Sequence, residues 1–189
     1  MKNIGFAITG SFCTFDKTLA AIRGLTDKGY NVLPILSFAV LNTDTRFFAA
    51  ADFYSAVRKL TGNEPVASLS AAEPVGPKNL IDILVIAPCT GNTMGKLAGA
   101  ITDTPVTMVA KAHMRNNKPL VLGISTNDGL GLNMRNLGVL MAAKGVYFIP
   151  FGQDDPVNKP KSLIADWGLL EATIADAAEG RQVQPILLR

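Results

Sequence analysis

The sequence predicts an α/β protein: a three-layer, Rossmann/flavodoxin-like parallel sheet with helices on both faces. Three observations carry that expectation. Five apolar runs of strand length recur along the chain: "NIGFAITG", "NVLPILS", "DILVIAP", "PLVLGIS" and "VYFIPF". They alternate with segments of helical period, the pattern of a sheet buried between helices. The chain has 189 residues, 48% hydrophobic and 17% charged, which supplies one sizeable core and argues against disorder, so residues 1–189 are expected to form a single domain.

After the first run, residues 15–28 read as a helix, with Leu19, Ile22 and Leu25 on one stripe and Gly29 as its C′ residue. The second run contains Pro34, which cannot donate to a ladder and therefore belongs at a sheet edge. An edge position fits strand order 2-1-3-4-5. Residues 46–61 read as a helix ended by Gly62, and the stretch with Pro65, Pro74, Gly76 and Pro77 as loop with a short strand. Helices are expected over 92–101, 104–115 and 131–144, the last closed by Gly145. A C-terminal helix over 161–179 would put Leu163, Ile164, Trp167, Leu170 and Ile174 on one stripe, with Trp167 as a core or subunit-contact anchor and 180–189 as a short tail.

The formal charge of +3 is small and the Lys and Arg residues are scattered, so there is no nucleic-acid footprint. The first ten residues reach a glycine turn too early for a signal peptide, and no run approaches the roughly 18 apolar residues of a membrane helix. Cys13 and Cys89 make no disulfide framework, which points to a reducing, cytoplasmic setting.

The stretch "APCTGNTMGKLAGAITD", 87–103, leaves the third strand through small hydroxyl, amide and glycine residues and starts a helix at once. Such corners present backbone N–H groups to an anion or a planar cofactor. "GNTMGKL" at 91–97 is not a nucleotide-triphosphate loop: three residues separate its glycines, and Leu97 stands where a hydroxyl must follow Lys96. In "GLGLNM", 129–134, Met134 occupies the place of the third glycine of a dinucleotide fingerprint. His113 is the only histidine, which leaves little for a triad or a zinc site; no metal is expected, and His113 reads as a surface or helix-end residue. Cys89 is either a nucleophile at a helix N-terminus or a small residue packed beneath a ligand. "TGSFCTF" at 9–15, Ser37 after strand two and "GISTNDGLG" at 123–131 bring the same glycine and hydroxyl chemistry to neighbouring strand ends. Those loops are expected to converge on one rim.

"GFAITGSFCTF", "APCTGNTMGKLAGAITD" and "LGISTNDGLGLNMRNLGVLMAAKGVYFIPFG" resemble the flavoprotein family of homo-oligomeric flavin-containing cysteine decarboxylases, to about residue 152. In the third-strand loop Pro88, Asn92, Thr93, Lys96, Ala98, Ile101 and Asp103 match the family pattern, with Thr90 for Ser, Gly91 for Ala and Ala100 for Gly. The resemblance implies FMN, its phosphate near Gly10, Ser11 and Ser37 and its ring system near the third-strand loop. The implied cofactor residues are Gly10, Ser11, Phe12, Ser37, Pro88, Cys89, Thr90, Gly91, Asn92, Thr93 and Asn127. The residue types agree: Asn92 can offer donors and an acceptor to a flavin edge, and Gly91 allows close approach.

Two departures matter. Residues 38–70 hold no histidine where the decarboxylases carry a catalytic one, and "ISTN" keeps only Asn127 of their Pro-Ala-Met-Asn motif. Within the family the chain is most similar to a subunit that works with a dissimilar A subunit in sporulating bacteria, oxidising a dihydropyridine dicarboxylate to its aromatic product. This resemblance implies an oxidoreductase subunit in the mother-cell cytoplasm and a homo-oligomer built from trimers. Decarboxylase or prenyltransferase chemistry and a non-catalytic assembly role are the alternatives. Arginine suits carboxylates best, so Arg115 and Arg135 are the substrate candidates, with Lys111 and Lys159 behind them.

Overall fold

β1 (Asn3–Ile8) leads through a single 3-10 turn at 12–14 into α1 (Phe15–Asp27), then β2 (Asn31–Leu36), a short α2 (Phe38–Asn42) and α3 (Ala50–Thr61). α4 (Leu69–Ala72) precedes β3 (Ile83–Cys89), which is followed by α5 (Gly91–Ala98), α6 (Pro105–Arg115), β4 (Leu120–Thr126), α7 (Asn133–Met141) and β5 (Val146–Phe148). The chain ends with β6 (Phe151–Asp155), β7 (Lys159–Ala165) and α8 (Leu170–Ala178). The structure, a computed structural model, describes residues 2–188. No helix among them is long and apolar enough to cross a membrane.

β2, β1, β3, β4 and β5 are parallel neighbours in that order, the doubly wound 2-1-3-4-5 arrangement expected from the sequence. The path from β1 to β2 runs one way across the sheet, and those from β3 to β4 and β4 to β5 run the other way. Right-handed crossovers therefore place α1 on one face and α6 and α7 on the opposite face. α8 joins the α1 layer, where Lys28 pairs with Glu171. Every residue of β3 is buried, as a central strand covered on both faces requires. Pro34 lies in the outer strand, and Val66 pairs with Ile35 in an isolated bridge along that strand's free side, the expected short strand reduced to one residue.

Three expectations change. "VYFIPF" is two strands, because the chain breaks at Ile149–Pro150 between β5 and β6. The helix expected over 161–179 begins only at Leu170: residues 159–165 are β7, paired antiparallel with β6 and with the end of β4, Ser125 facing Ile164 and Thr126 facing Leu163. Leu163 and Ala165 are buried with half-buried Ile164 between them, a period of two that the helical stripe concealed. Asp155 fastens the hairpin turn, accepting from the N–H groups of Val157 and Asn158 at 3.2 and 3.0 Å. Trp167 consequently sits half-buried in the 3-10 turn before α8. The helix expected from 46 begins at Ala50, and 43–49 is a turn whose Phe48 packs between Phe15 and Phe53. Residues 182–188, expected as part of a short tail, are tied down as well: Gln182 brackets the backbone of Phe148, and Phe151 exchanges hydrogen bonds with Ile186 and Leu188.

Candidate functional site

Parallel register aligns the carboxyl ends of β1, β3 and β4, and a buried threonine ties the first two together. Thr9 Oγ1 donates to the Pro88 carbonyl at 2.7 Å and accepts from the Thr90 N–H at 3.1 Å, so the exits of strands one and three move as a unit. Thr90 in turn caps α5, its Oγ1 accepting from the Thr93 N–H at 3.4 Å. The hydroxyls of Ser11 and Ser125 meet at 2.8 Å and join strand one's loop to strand four's. The first N–H groups of α1's leading turn and of α5 have no intrahelical partner and open onto the same rim.

Two clefts flank a ridge made by Gly10 and Thr90. The larger encloses about 780 Å³ between the 10–14 loop, the 43–49 turn, the 125–128 loop and the β6–β7 hairpin. Its size lies within the range of small-molecule and cofactor sites. The smaller, about 320 Å³, lies between residues 37–39 and the start of α5, with Lys96 and Thr104 at its far side. The larger cleft's charges are Lys17, Arg46, Lys159, Asp128 and Asp154. Lys159 pairs with Asp154 at 2.8 Å, which raises the pKa of its ammonium. Asp128 accepts from Asn133 Nδ2 at 2.7 Å. In the smaller cleft Lys96 is clamped by both oxygens of Asp103 at 2.8 Å, holding that carboxyl below its ordinary range.

Residues 1–179 match the Flavoprotein family. The chain belongs to that family. It is 52% identical over 187 residues to the B subunit of dipicolinate synthase from Bacillus subtilis (strain 168), covering 99% of this chain and 94% of that protein. The crystal structure of the dipicolinate synthase B subunit from Bacillus halodurans C superposes with a TM-score of 0.91 at 47% identity, over 100% of this chain and 96% of that one. The FMN-dependent cysteine decarboxylase SpaF shares the fold, with a TM-score of 0.68 at 18% identity over 95% of both chains. The family match runs past residue 152, where the resemblance visible in the sequence ended, and takes in the β6–β7 hairpin and α8.

The structure distributes the residues expected from the flavoprotein resemblance over both clefts, which share one rim. Gly10 and Thr90 border both; Ser11, Phe12, Gly91 and Asn127 line the larger, and Ser37, Asn92 and Thr93 the smaller. Pro88 and Cys89 line neither, being fully buried at the end of β3. Burial pushes the Cys89 thiol up to about 12, which fits a packed residue and speaks against a thiolate nucleophile. Gly91 is also required by packing: a Cβ there would lie 2.4 Å from Asn133 Nδ2 and 2.7 Å from Thr126 Oγ1, so its smallness serves the contact between α5, α7 and β4.

Neither arginine candidate lines either cleft of this chain. Arg115 closes the last turn of α6, at the end of the sheet opposite the rim, and Arg135 is exposed on α7 and lines neither cleft. Lys111 lies on a third hollow between α5 and α6, while Lys159 does line the larger cleft. His113 is buried rather than superficial. Its Nε2 meets the Pro119 carbonyl at 2.9 Å, and burial lowers its pKa to about 4, so it is neutral and remote from the rim. Sequence reasoning missed Thr9, Ser125, Lys17 and Arg46. For Thr9 and Ser125 the signal was available, a hydroxyl at the last residues of a strand; for Arg46 none was, since it depends on 43–49 being a turn.

Proposed function

We propose that this chain is the flavin-binding subunit of a two-subunit dipicolinate synthase, acting with an A subunit in the cytoplasm of a sporulating cell to oxidise a dihydrodipicolinate-type precursor to pyridine-2,6-dicarboxylate. The reading is supported by 52% identity to the B subunit of a dipicolinate synthase. The observation that carries it is the pair of clefts sharing one ridge, with free helix-terminal N–H groups, serine and threonine hydroxyls and Asn92 and Asn127 turned to them. That donor set fits a phosphorylated, planar cofactor. Gly10, Ser11 and Phe12, with Ser37 and the Thr90–Thr93 corner, would hold FMN. FMN would supply a two-electron acceptor for an oxidation that leaves the pyridine ring aromatic.

The chain's own contribution is positional. Thr9 and Thr90 fix the corner, the Ser11–Ser125 pair sets the width between strands one and four, and the β6–β7 hairpin walls the cleft from the side. His113 is remote from the clefts and Cys89 is buried as the thiol, so neither does acid-base or nucleophilic work there. That favours oxidation assisted by orientation over decarboxylation through a histidine. Assembly into trimers that share the clefts between copies belongs to the same proposal.

The test is a dipicolinate-forming assay followed by the product's ultraviolet absorbance, with this chain, the A subunit and FMN each supplied or omitted. Product should require this chain and increase with FMN. Equal product without the chain would overturn the reading, and dependence on the chain but not on FMN would leave it an assembly subunit.

A further inference from the structure

The 43–49 turn puts a cation and an aromatic ring on the wall of the larger cleft and holds them there. Thr45 Oγ1 accepts from the N–H groups of Phe47 and Phe48, each at 3.2 Å, and the Thr45 N–H donates to the Phe48 carbonyl at 2.9 Å. Asp44 Oδ1 takes the Ala50 N–H at 2.8 Å, which fastens the turn to α3. Phe48 points inward, its ring 6.1 Å from Phe15 and 5.5 Å from Phe53. Phe47 therefore faces out, 44% exposed, with the Arg46 guanidinium 4.8 Å from its ring centre. Lys17 lies two residues beyond Phe15 and lines the same cleft.

These cations differ from the other charges of the cleft. Lys159 and Asp154 neutralise each other and Asp128 is held by Asn133, whereas Arg46 and Lys17 have no carboxylate within ion-pair distance among the described residues. Two uncompensated positive charges stand beside an outward-facing phenyl ring on a turn fastened to α3 by Asp44 and to the core by Phe48. A guanidinium forks onto a carboxylate, an ammonium receives a second one as a point charge, and a phenyl ring stacks on a flat ring.

We propose that Arg46, Phe47 and Lys17 form a clamp for a planar aromatic or dihydroaromatic dicarboxylate. The proposal rests on the dipicolinate reading and gives its substrate a binding site in place of Arg115 and Arg135. Arg46 holds one carboxylate, Lys17 the other, and Phe47 covers the ring.

Calorimetric titration with pyridine-2,6-dicarboxylate, with and without saturating FMN, tests the clamp. Arg46→Ala should weaken dicarboxylate binding at least tenfold, Arg46→Lys should restore part of it, and pyridine-2-carboxylate should lose less than the dicarboxylate. Affinity for FMN and the unfolding midpoint should be unchanged in both variants. Unaltered dicarboxylate affinity in Arg46→Ala overturns the clamp, and so does a loss confined to FMN, which would assign the guanidinium to the cofactor's phosphate. Wild-type protein that takes up no FMN would defeat the flavin reading instead, and the titration without FMN would still decide the clamp.

Discussion

Replacing Gly91 by alanine places a methyl group where the structure has no room for one. The new Cβ would lie 2.4 Å from Asn133 Nδ2 and 2.7 Å from Thr126 Oγ1, where ordinary contact begins at 3.4 Å. Asn133 cannot simply turn away, because its Nδ2 donates to Asp128 Oδ1 at 2.7 Å and its Oδ1 accepts from Asn136 Nδ2 at 2.8 Å. Losing the bond to the charged Asp128 costs about 1.5–3 kcal/mol and the neutral one about 1 kcal/mol, less what water restores at this half-buried site. Residual overpacking against Thr126 adds about 1 kcal/mol, and alanine's better helix propensity returns at most about 1 kcal/mol. The net expectation is a destabilisation of ~2–3 kcal/mol, which for a chain of this length lowers the melting midpoint by ~5–10 °C. Urea unfolding of wild type, Gly91→Ala, Asn133→Ala and the double variant measures it. Since Asn133→Ala removes the nearer obstacle, the two penalties should fall short of additivity by at least ~1 kcal/mol. Strictly additive penalties, or a Gly91→Ala midpoint equal to wild type, would refute the packing argument.

Burial that lowers the His113 pKa to about 4 ties stability to pH. The unfolded chain binds this proton near its ordinary pKa of about 6.5 and the folded chain only near 4, so the contribution is complete above pH 6.5 and is lost as pH falls from 6.5 to 4, by up to ~3 kcal/mol. Urea midpoints of wild type should fall across that window more steeply than those of His113→Gln; parallel slopes would disprove it. Iodoacetamide at neutral pH should label the exposed Cys13 and spare Cys89, with both labelled in denaturant, as read by intact mass. Native labelling of Cys89 would contradict its burial. Thr90→Ala removes the α5 cap and should cost ~1 kcal/mol while weakening FMN uptake, and Thr90→Ser should recover both. A Thr90→Ala protein unchanged in flavin titration and thermal melt would remove Thr90 from the site.

Local signals settled much of this protein. Apolar runs long enough for strands and separated by helical periods admit little besides a doubly wound sheet, Pro34 placed β2 outermost, and glycine-hydroxyl corners marked the carboxyl ends of β1, β3 and β4, where the two clefts open. Those features depend on residues close together in the chain, so composition and spacing suffice. Tertiary structure alone decided the rest. Residues 159–165 carry apolar positions compatible with either period, and pairing to β4 and β6 made them a strand. Gly91's role belongs to Asn133 and Thr126, distant in sequence. Arg115 and Arg46 look alike as letters, and only the direction of α6 and the inward anchoring of Phe48 sent the first to the far end of the sheet and the second to the cleft. A side chain's type is written locally, but whether it meets a ligand depends on backbone paths set by the packing of the whole core.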